Sequence, residues 1–415
     1  MKQKEPQAKP DRGVLGSLTF SHLSQHFYNG APILFQNVRE DLGLGYFEIG
    51  LVNSASNILG GFLQIAYSLA ARRYKRRLLL GGANIAMSLG CLIMGLANGF
   101  PSLFTGNVVA GAGQAGMHPV GTSIIADKFD RKKVSGALSL FYGLGYIGNI
   151  ISPILLSVIG GAIQPQGWRF AFYVLALLPF ITGLTVMLYL RGEPAGDKIE
   201  LKATQESFLD SIKSAVRIKS AVYVLAAQSF IAGGTNLVIV TTWVPLFLRD
   251  PSKGLGLDLF QTGLLSALST GGGVVGTILI GHMADRIGQL KAAIASTGGT
   301  IVLVYLMSYY TSFTPIVIPH LFLLGMTTFS IGSLLQAHIT IVSTPSQREA
   351  LLGLFFTFGF GISSVWSALL GGLIEIYSFN AAWIGMSSLG VIAFLMLIGA
   401  YRSAGTSVQE SLKNE

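Results

Sequence analysis

His22, Gln25, His26 and Asn29 recur at i, i+3, i+4 and i+7 in the otherwise apolar opening stretch of the sequence. On a helix that spacing puts four polar side chains on one face. Farther on, Gln114 and His118 stand i, i+4 within GAGQAGMHPVGTSIIADKFDRKK. Imidazoles exchange protons near neutral pH, and amides both donate and accept hydrogen bonds. The chemistry on offer is therefore proton uptake and release, combined with hydrogen bonding to a ligand. A thinner set follows: Gln228, Asn236 and Trp243 near i, i+8 and i+15, then Gln336 and His338. For each of these the competing reading is a hydrogen bond that ties one helix to another. His282 and His320 are read as structural. No nucleophile–base–acid constellation, metal ligand set or phosphate loop stands out, so neither an enzyme nor a cofactor is expected. The G-x-G runs lack the preceding strand that a dinucleotide fold requires.

The elements that must position these residues are membrane segments. Of 415 residues 51% are hydrophobic and 11% charged, and the mean hydropathy is +0.59. A soluble chain carries roughly twice that charged fraction. Twelve apolar segments are predicted, at 13–36, 47–70, 78–98, 102–126, 135–160, 169–190, 221–248, 260–284, 292–311, 315–343, 350–376 and 380–401. Each can cross a core about 30 Å thick at about 1.5 Å per residue. The first residues, MKQKEPQAKPDR, are polar and lead directly into a segment, so no cleavable leader is expected. The single Cys91 excludes a disulfide framework and a Cys-based metal site. His22 and His26 fall about 13–20 Å from the inner end of their helix, and His118 at a similar depth on one running the other way. No Asp, Glu, Lys or Arg lies deep in a segment; Glu375 comes nearest, by an outer end. A path without a fixed cation suits neutral, amphipathic or weakly cationic ligands better than phosphates or dicarboxylates.

Charge sorts by loop. With the N-terminus inside, all 28 Lys and Arg except Arg39, Arg169, Arg249 and Lys253 fall on the cytoplasmic side. That bias predicts both termini in the cytoplasm and accounts for the net charge of +9 without a nucleic-acid partner. The halves also resemble each other: the stretch from Gly50 matches that from Gly263, pairing Ala71 with Ala284 and Arg73 with Arg286. A second match pairs Arg131 with Arg348 and Gly136 with Gly353. The expected division is an N-terminal six-helix half over 1–190, a cytoplasmic linker over 191–220 and a C-terminal six-helix half over 221–415. Within the linker, Ser207–Ile218 reads as an amphipathic helix on the inner membrane surface.

These features resemble the major facilitator superfamily. Gly281, Asp285, Arg286 and Gly288 match its G-x-x-x-D-R-x-G loop motif. The first-half copy has decayed, with Ser68 for the glycine and Arg72 for the aspartate, though Arg73 remains. GLGYIGNIISPILLS looks like a worn antiporter signature, with Ser152–Pro153 at its end. GNVVAGAG keeps the glycine spacing of the R-x-x-x-G-x-G motif but places Asn107 where arginine is expected. QAGMHPVGTSIIADKF, together with SHLSQHF, is similar to the fosmidomycin-resistance-like branch of drug exporters. The resemblance implies an all-α integral membrane protein, with substrate held between two six-helix halves. It implies a secondary transporter working by alternating access, exporting a small hydrophobic or amphipathic compound in exchange for protons. Uptake of a neutral or weakly charged metabolite and a membrane sensor on the same scaffold stay open. The expected partners are a small molecule, protons and the lipid bilayer of the cell inner membrane, with the chain working as a monomer. Asp285 is expected to latch cytoplasmic helix ends, with Gly281, Arg286, Gly288 and Arg73 around it.

Overall fold

Apolar runs of membrane length fold as helices because hydrocarbon offers no partner to a bare backbone N–H or C=O. The computed structural model describes residues 12–71, 73–129, 133–191, 208–231 and 237–413. Asn236, Arg72, Arg131, Lys132, the N-terminal lysines and the linker before Phe208 lie outside them. All secondary structure among the described residues is helical, with no strand. Each of the twelve predicted segments falls on helix over most of its described residues, and nine described helices are long and apolar enough to cross a membrane. Large apolar side chains such as Leu177, Leu184, Ile278, Leu279 and Leu395 stay exposed. In water that surface would be a liability; against lipid tails it is matched.

Several segments are not continuous. The first runs as helix Arg12–Tyr28, a 3-10 turn Ala31–Leu34 and helix Phe35–Leu42. The fourth breaks at a π-turn, Met117–Gly121, and resumes over Thr122–Lys128. Asp127 and Lys128, just past the predicted end at 126, are therefore helical too. The seventh is interrupted by a π-turn at Ile239–Trp243 and the eleventh by one at Thr357–Gly361. The linker helix is shorter than expected, Phe208–Ala215, and its Ala215 is buried. It docks on the helix Pro345–Phe356, where Gln347 Nε2 donates to Ser214 Oγ at 3.2 Å.

Packing gathers the chain into two compact units. One comprises Met1–Leu34 and Leu59–Glu200. In it the first helix packs on the fifth segment (Val134–Ala162) and the sixth (Gly167–Tyr189), and the third (Arg76–Gly95) on the fourth and sixth. Its core includes Leu18, Leu80, Met117, Ile124, Phe141 and Val186. The third and fourth segments touch backbone to backbone at Gly90 and Gly106, since a Cβ on Gly106 would lie 2.8 Å from Gly90 O. Arg76 Nη1 donates to Asp127 Oδ2 at 2.5 Å, joining the start of the third segment to the end of the fourth.

The other unit comprises Phe35–Ile58 and Leu201–Glu415. Its eighth segment (Leu259–Ile287) packs on the tenth (Val317–Val342), and its twelfth (Phe379–Lys413) on the seventh and ninth. Its polar hub is Asp250, buried just past the seventh segment. Asp250 Oδ2 accepts from Arg39 Nη2 at 2.9 Å and from the Tyr46 hydroxyl. Its Oδ1 accepts from the N–H groups of Ser252 and Lys253, each at 2.7 Å. The Arg39 guanidinium also lies 4.3 Å above the Tyr46 ring. Burial pushes the Asp250 carboxyl up, but the bonds from Tyr46, Lys253 and Ser252 outweigh it and hold the group below its ordinary range. Asp250→Ala strands Arg39 and two N–H groups. We expect a loss of about 3 kcal/mol in thermal unfolding, the low end for a broken buried pair because Arg39 is partly open to solvent. A carboxyl with a depressed pKa contributes stability that is whole at neutral pH and lost as pH falls below about 4. Melting curves should therefore show an acid-side drop that Asp250→Ala blunts.

Candidate functional site

The first helix reaches the fifth closely because the facing residues are glycines. A Cβ on Gly148 would lie 2.8 Å from Leu23 O and 2.9 Å from His26 Cβ, and one on Gly145 would strike His22 Nδ1. Into that space fit the buried rings of His22 and His26. His22 stacks on Phe141 at 4.2 Å between centroids, and its Nδ1 lies 2.9 Å from Phe141 O. His26 Nδ1 lies 2.8 Å from Asn149 Oδ1. The two Nε2 atoms stand 2.9 Å apart.

The fourth segment brings the third imidazole. Pro119 has no N–H to give the helical ladder, and the chain turns there as π-helix, a distortion frequent at functional sites. His118 is exposed, unlike the other two. Its ring centroid lies 5.0 Å from that of His22 and 6.4 Å from that of His26, and it stacks on Tyr142 at 5.8 Å. One ring nitrogen from each of the three histidines lies within 4.8 Å of the other two.

Amides orient this cluster. Gln114 Nε2 donates to Gln25 O at 3.3 Å and to Asn29 Oδ1 at 2.7 Å. Asn29 Nδ2 in turn donates to Asn149 Oδ1 at 3.2 Å. The Gln25 side chain, expected on the shared polar face, points instead to the third segment and donates to Asn84 Oδ1 at 3.0 Å. Asn84 passes the network on to Ser21 Oγ at 2.6 Å. Six predicted residues, His22, Gln25, His26, Asn29, Gln114 and His118, thus belong to one network. Four others on the fifth segment, Phe141, Tyr142, Tyr146 and Asn149, complete it. Tyr142, Tyr146 and Asn149 stand i, i+4, i+7 in the sequence, a polar stripe masked by the glycines between them. Asn107, at the motif's arginine position, accepts from the Tyr28 hydroxyl and so ties the fourth segment to the first.

The second unit makes no such cluster. Gln228 and Trp243 are buried, and Trp243 Nε1 finds no hydrogen-bond partner among the described residues. Trp243 closes the π-turn Ile239–Trp243. His338 Nε2 lies 3.3 Å from Ser220 Oγ, and Gln336 is half-buried. No hydrogen bond joins these four to one another among the described residues. In the loop motif, Gly288 has φ +93, a backbone state that suits glycine alone, and it ends the eighth segment. Asp285, Arg286 and Arg73 are exposed, Gly281 is half-buried, and no ion pair engages Asp285 or Arg286 among the described residues.

Comparison with known proteins agrees with this architecture. The sequence profile described as Major Facilitator Superfamily matches residues 18–358 and 250–413. The chain is 24% identical over 393 residues to a probable L-galactonate transporter of Escherichia coli, covering 87% of this chain and 83% of that protein. It is 22% identical over 405 residues to the fosmidomycin resistance protein of the same species, covering 94% and 92%. Among solved structures, a bacterial homolog of the human lysosomal transporter Spinster superposes with a TM-score of 0.76 at 16% identity, covering 95% and 97%. The helices are of membrane length and the profile extends over nearly the whole chain: this protein belongs to the Major Facilitator Superfamily of secondary transporters.

Proposed function

We propose that the protein is a proton-coupled exporter of a small hydrophobic or amphipathic compound, working by alternating access. The observation that carries the reading is the convergence of His22, His26 and His118 inside a membrane helix bundle. Imidazoles at that depth are costly and find use where protons or ligands pass. The exposed ring of His118 exchanges protons with the path, and the buried pair His22–His26 stores them. Around the rings, Tyr142, Tyr146 and Phe141 supply aromatic surface, and Asn29, Gln114 and Asn149 supply amide contacts. No Lys or Arg takes part in this network, so a carboxylate or phosphate would meet no clamp. The similarity to a fosmidomycin resistance protein supports export. The similarity to a probable L-galactonate transporter favours a second reading, uptake of a metabolite. Gln228, Trp243, Gln336 and His338 supply the ligand contacts of the other half in either direction.

In this reading the chain divides at 191–220 into two six-helix halves, sits in the cell inner membrane with both termini in the cytoplasm, and acts as a monomer. The helix Phe208–Ala215 lies along the inner surface. Asp285, at the end of the eighth segment, serves as a cytoplasmic latch with Arg286, Gly281 and Gly288, and Arg73 marks the matching site in the first half.

His26→Ala or His118→Ala should reduce pH-gradient-driven transport at least tenfold. The check is a substrate-panel uptake and efflux assay in proteoliposomes with an imposed gradient and a chelator present. Unchanged pH dependence in both variants would sink the coupling role. Asp285→Asn should lower turnover several-fold while ligand affinity stays within about twofold, a split that removal of a state-specific contact produces. Weakened binding with normal cycling, measured by equilibrium binding and counterflow, would count against the latch.

A further inference from the structure

The imidazole cluster has an electronic requirement that follows from its hydrogen bonds. Gln25 O is a backbone carbonyl and can only accept, so the Gln114 atom facing it is Nε2, which also donates to Asn29 Oδ1. Asn29 therefore turns Nδ2 toward Asn149 and meets its Oδ1. His26 Nδ1 has two neighbours, Asn29 Nδ2 at 3.3 Å and this same Oδ1 at 2.8 Å; the shorter contact, with an acceptor, makes that nitrogen a donor, since Asn29 Nδ2 already donates to Asn149. Phe141 O, 2.9 Å from His22 Nδ1, likewise makes the second ring an Nδ1–H donor. In the neutral rings both Nε2 atoms then carry lone pairs, and these point at each other across 2.9 Å. Two acceptors held face to face repel unless something electron-poor sits between them.

We propose that His22, His26 and His118 form a binding site for a borderline or soft transition-metal ion, of the class of Zn2+, Co2+, Ni2+ or Cu+. Nδ1–H bonded to a backbone carbonyl or a side-chain oxygen, with Nε2 free, is the orientation that metal-ligating histidines adopt. Three neutral nitrogens without a carboxylate select such ions over Mg2+ or Ca2+. Two imidazole nitrogens on one tetrahedral Zn2+ stand about 3.3 Å apart, so the rings part by roughly 0.4 Å to admit the ion. His118, within 4.8 Å, supplies the third ligand, and its exposure provides the entry path that a buried site needs. A proton shared by the His22–His26 pair would answer the repulsion with two rings; the third convergent nitrogen is what a metal ion uses. The i, i+4 pair His22 and His26 offers two ligands in the sequence, but the third histidine comes from a different helix.

The site shares its residues with the proton-coupling reading but stands or falls separately. The test uses full-length, tag-free protein in detergent, stripped with a chelator and desalted. Zn2+ is titrated calorimetrically, and Co2+ is followed by its visible absorption. One ion per chain is expected, with the intense bands of low-coordinate Co2+. His118→Gln, at an exposed position, should weaken binding at least tenfold, and Asn149→Ala, which frees the His26 ring, by about 10–100-fold. An unchanged melting temperature for His118→Gln separates loss of a ligand from loss of fold. Absence of binding up to about 1 mM, or wild-type affinity in the His26→Gln/His118→Gln double variant, would overturn the site. Transport driven by a pH gradient in the chelated proteoliposomes would then persist, leaving the coupling reading intact.

Discussion

The constraint on which the first unit depends is that a polar atom at hydrocarbon depth must have a partner. The Gln25 carbonyl is the fixed point. It sets the Gln114 amide, which sets Asn29, which sets Asn149, which sets the tautomer of His26. Each link would cost on the order of 1–3 kcal/mol if left unmet. The chain of bonds therefore locks the first, fourth and fifth segments together through chemistry as well as packing. A single amide replaced by an apolar group would leave its neighbours free to flip.

Glycine does the complementary work. Histidine pairs at this depth need a wall that comes close without crowding, and Gly145 and Gly148 provide it. The same residue type lets the third and fourth segments meet at Gly90 and Gly106. Where backbone contact is not enough, the helix itself gives way. At the π-turn Met117–Gly121 His118 is exposed and meets the His22 ring, while its neighbours Met117 and Val120 remain in the core. A regular helix carrying Pro119 would have lost a ladder bond in any case.

Much of the fold was legible because hydropathy and length report directly on the bilayer. The polar face of the first helix and the depth of His118 could be read by counting residues, since rise per residue is fixed. Other features depend on facts that a linear pattern does not carry. Tyr142, Tyr146 and Asn149 are spaced as a face, but the glycines between them read as packing surface. The side chain of Gln25 shares a stripe with the histidines yet turns to Asn84, because a buried amide goes to the nearest partner it can satisfy. The register from Gln228 to Trp243 assumes 3.6 residues per turn, and a linear pattern does not announce the π-turn at Ile239–Trp243. Asn107 read as a lost arginine; its bond with Tyr28 is a tertiary fact.

The duplication visible in the sequence preserves backbone architecture without preserving chemistry. Both units pack membrane helices through close contacts, yet the first concentrates three imidazoles and five amide residues (Gln25, Asn29, Asn84, Gln114 and Asn149) in one network. The second spends its polarity on the hub at Asp250, which binds Arg39, Tyr46 and two backbone N–H groups. That division has a physical logic. A carboxylate held by a guanidinium and four further donors, the Ser252 hydroxyl included, is committed to one protonation state over the physiological range, and serves as a fastening. Imidazoles with no charged partner have no such commitment. A fold that needs one part to hold and another to respond gains from keeping the two in different units.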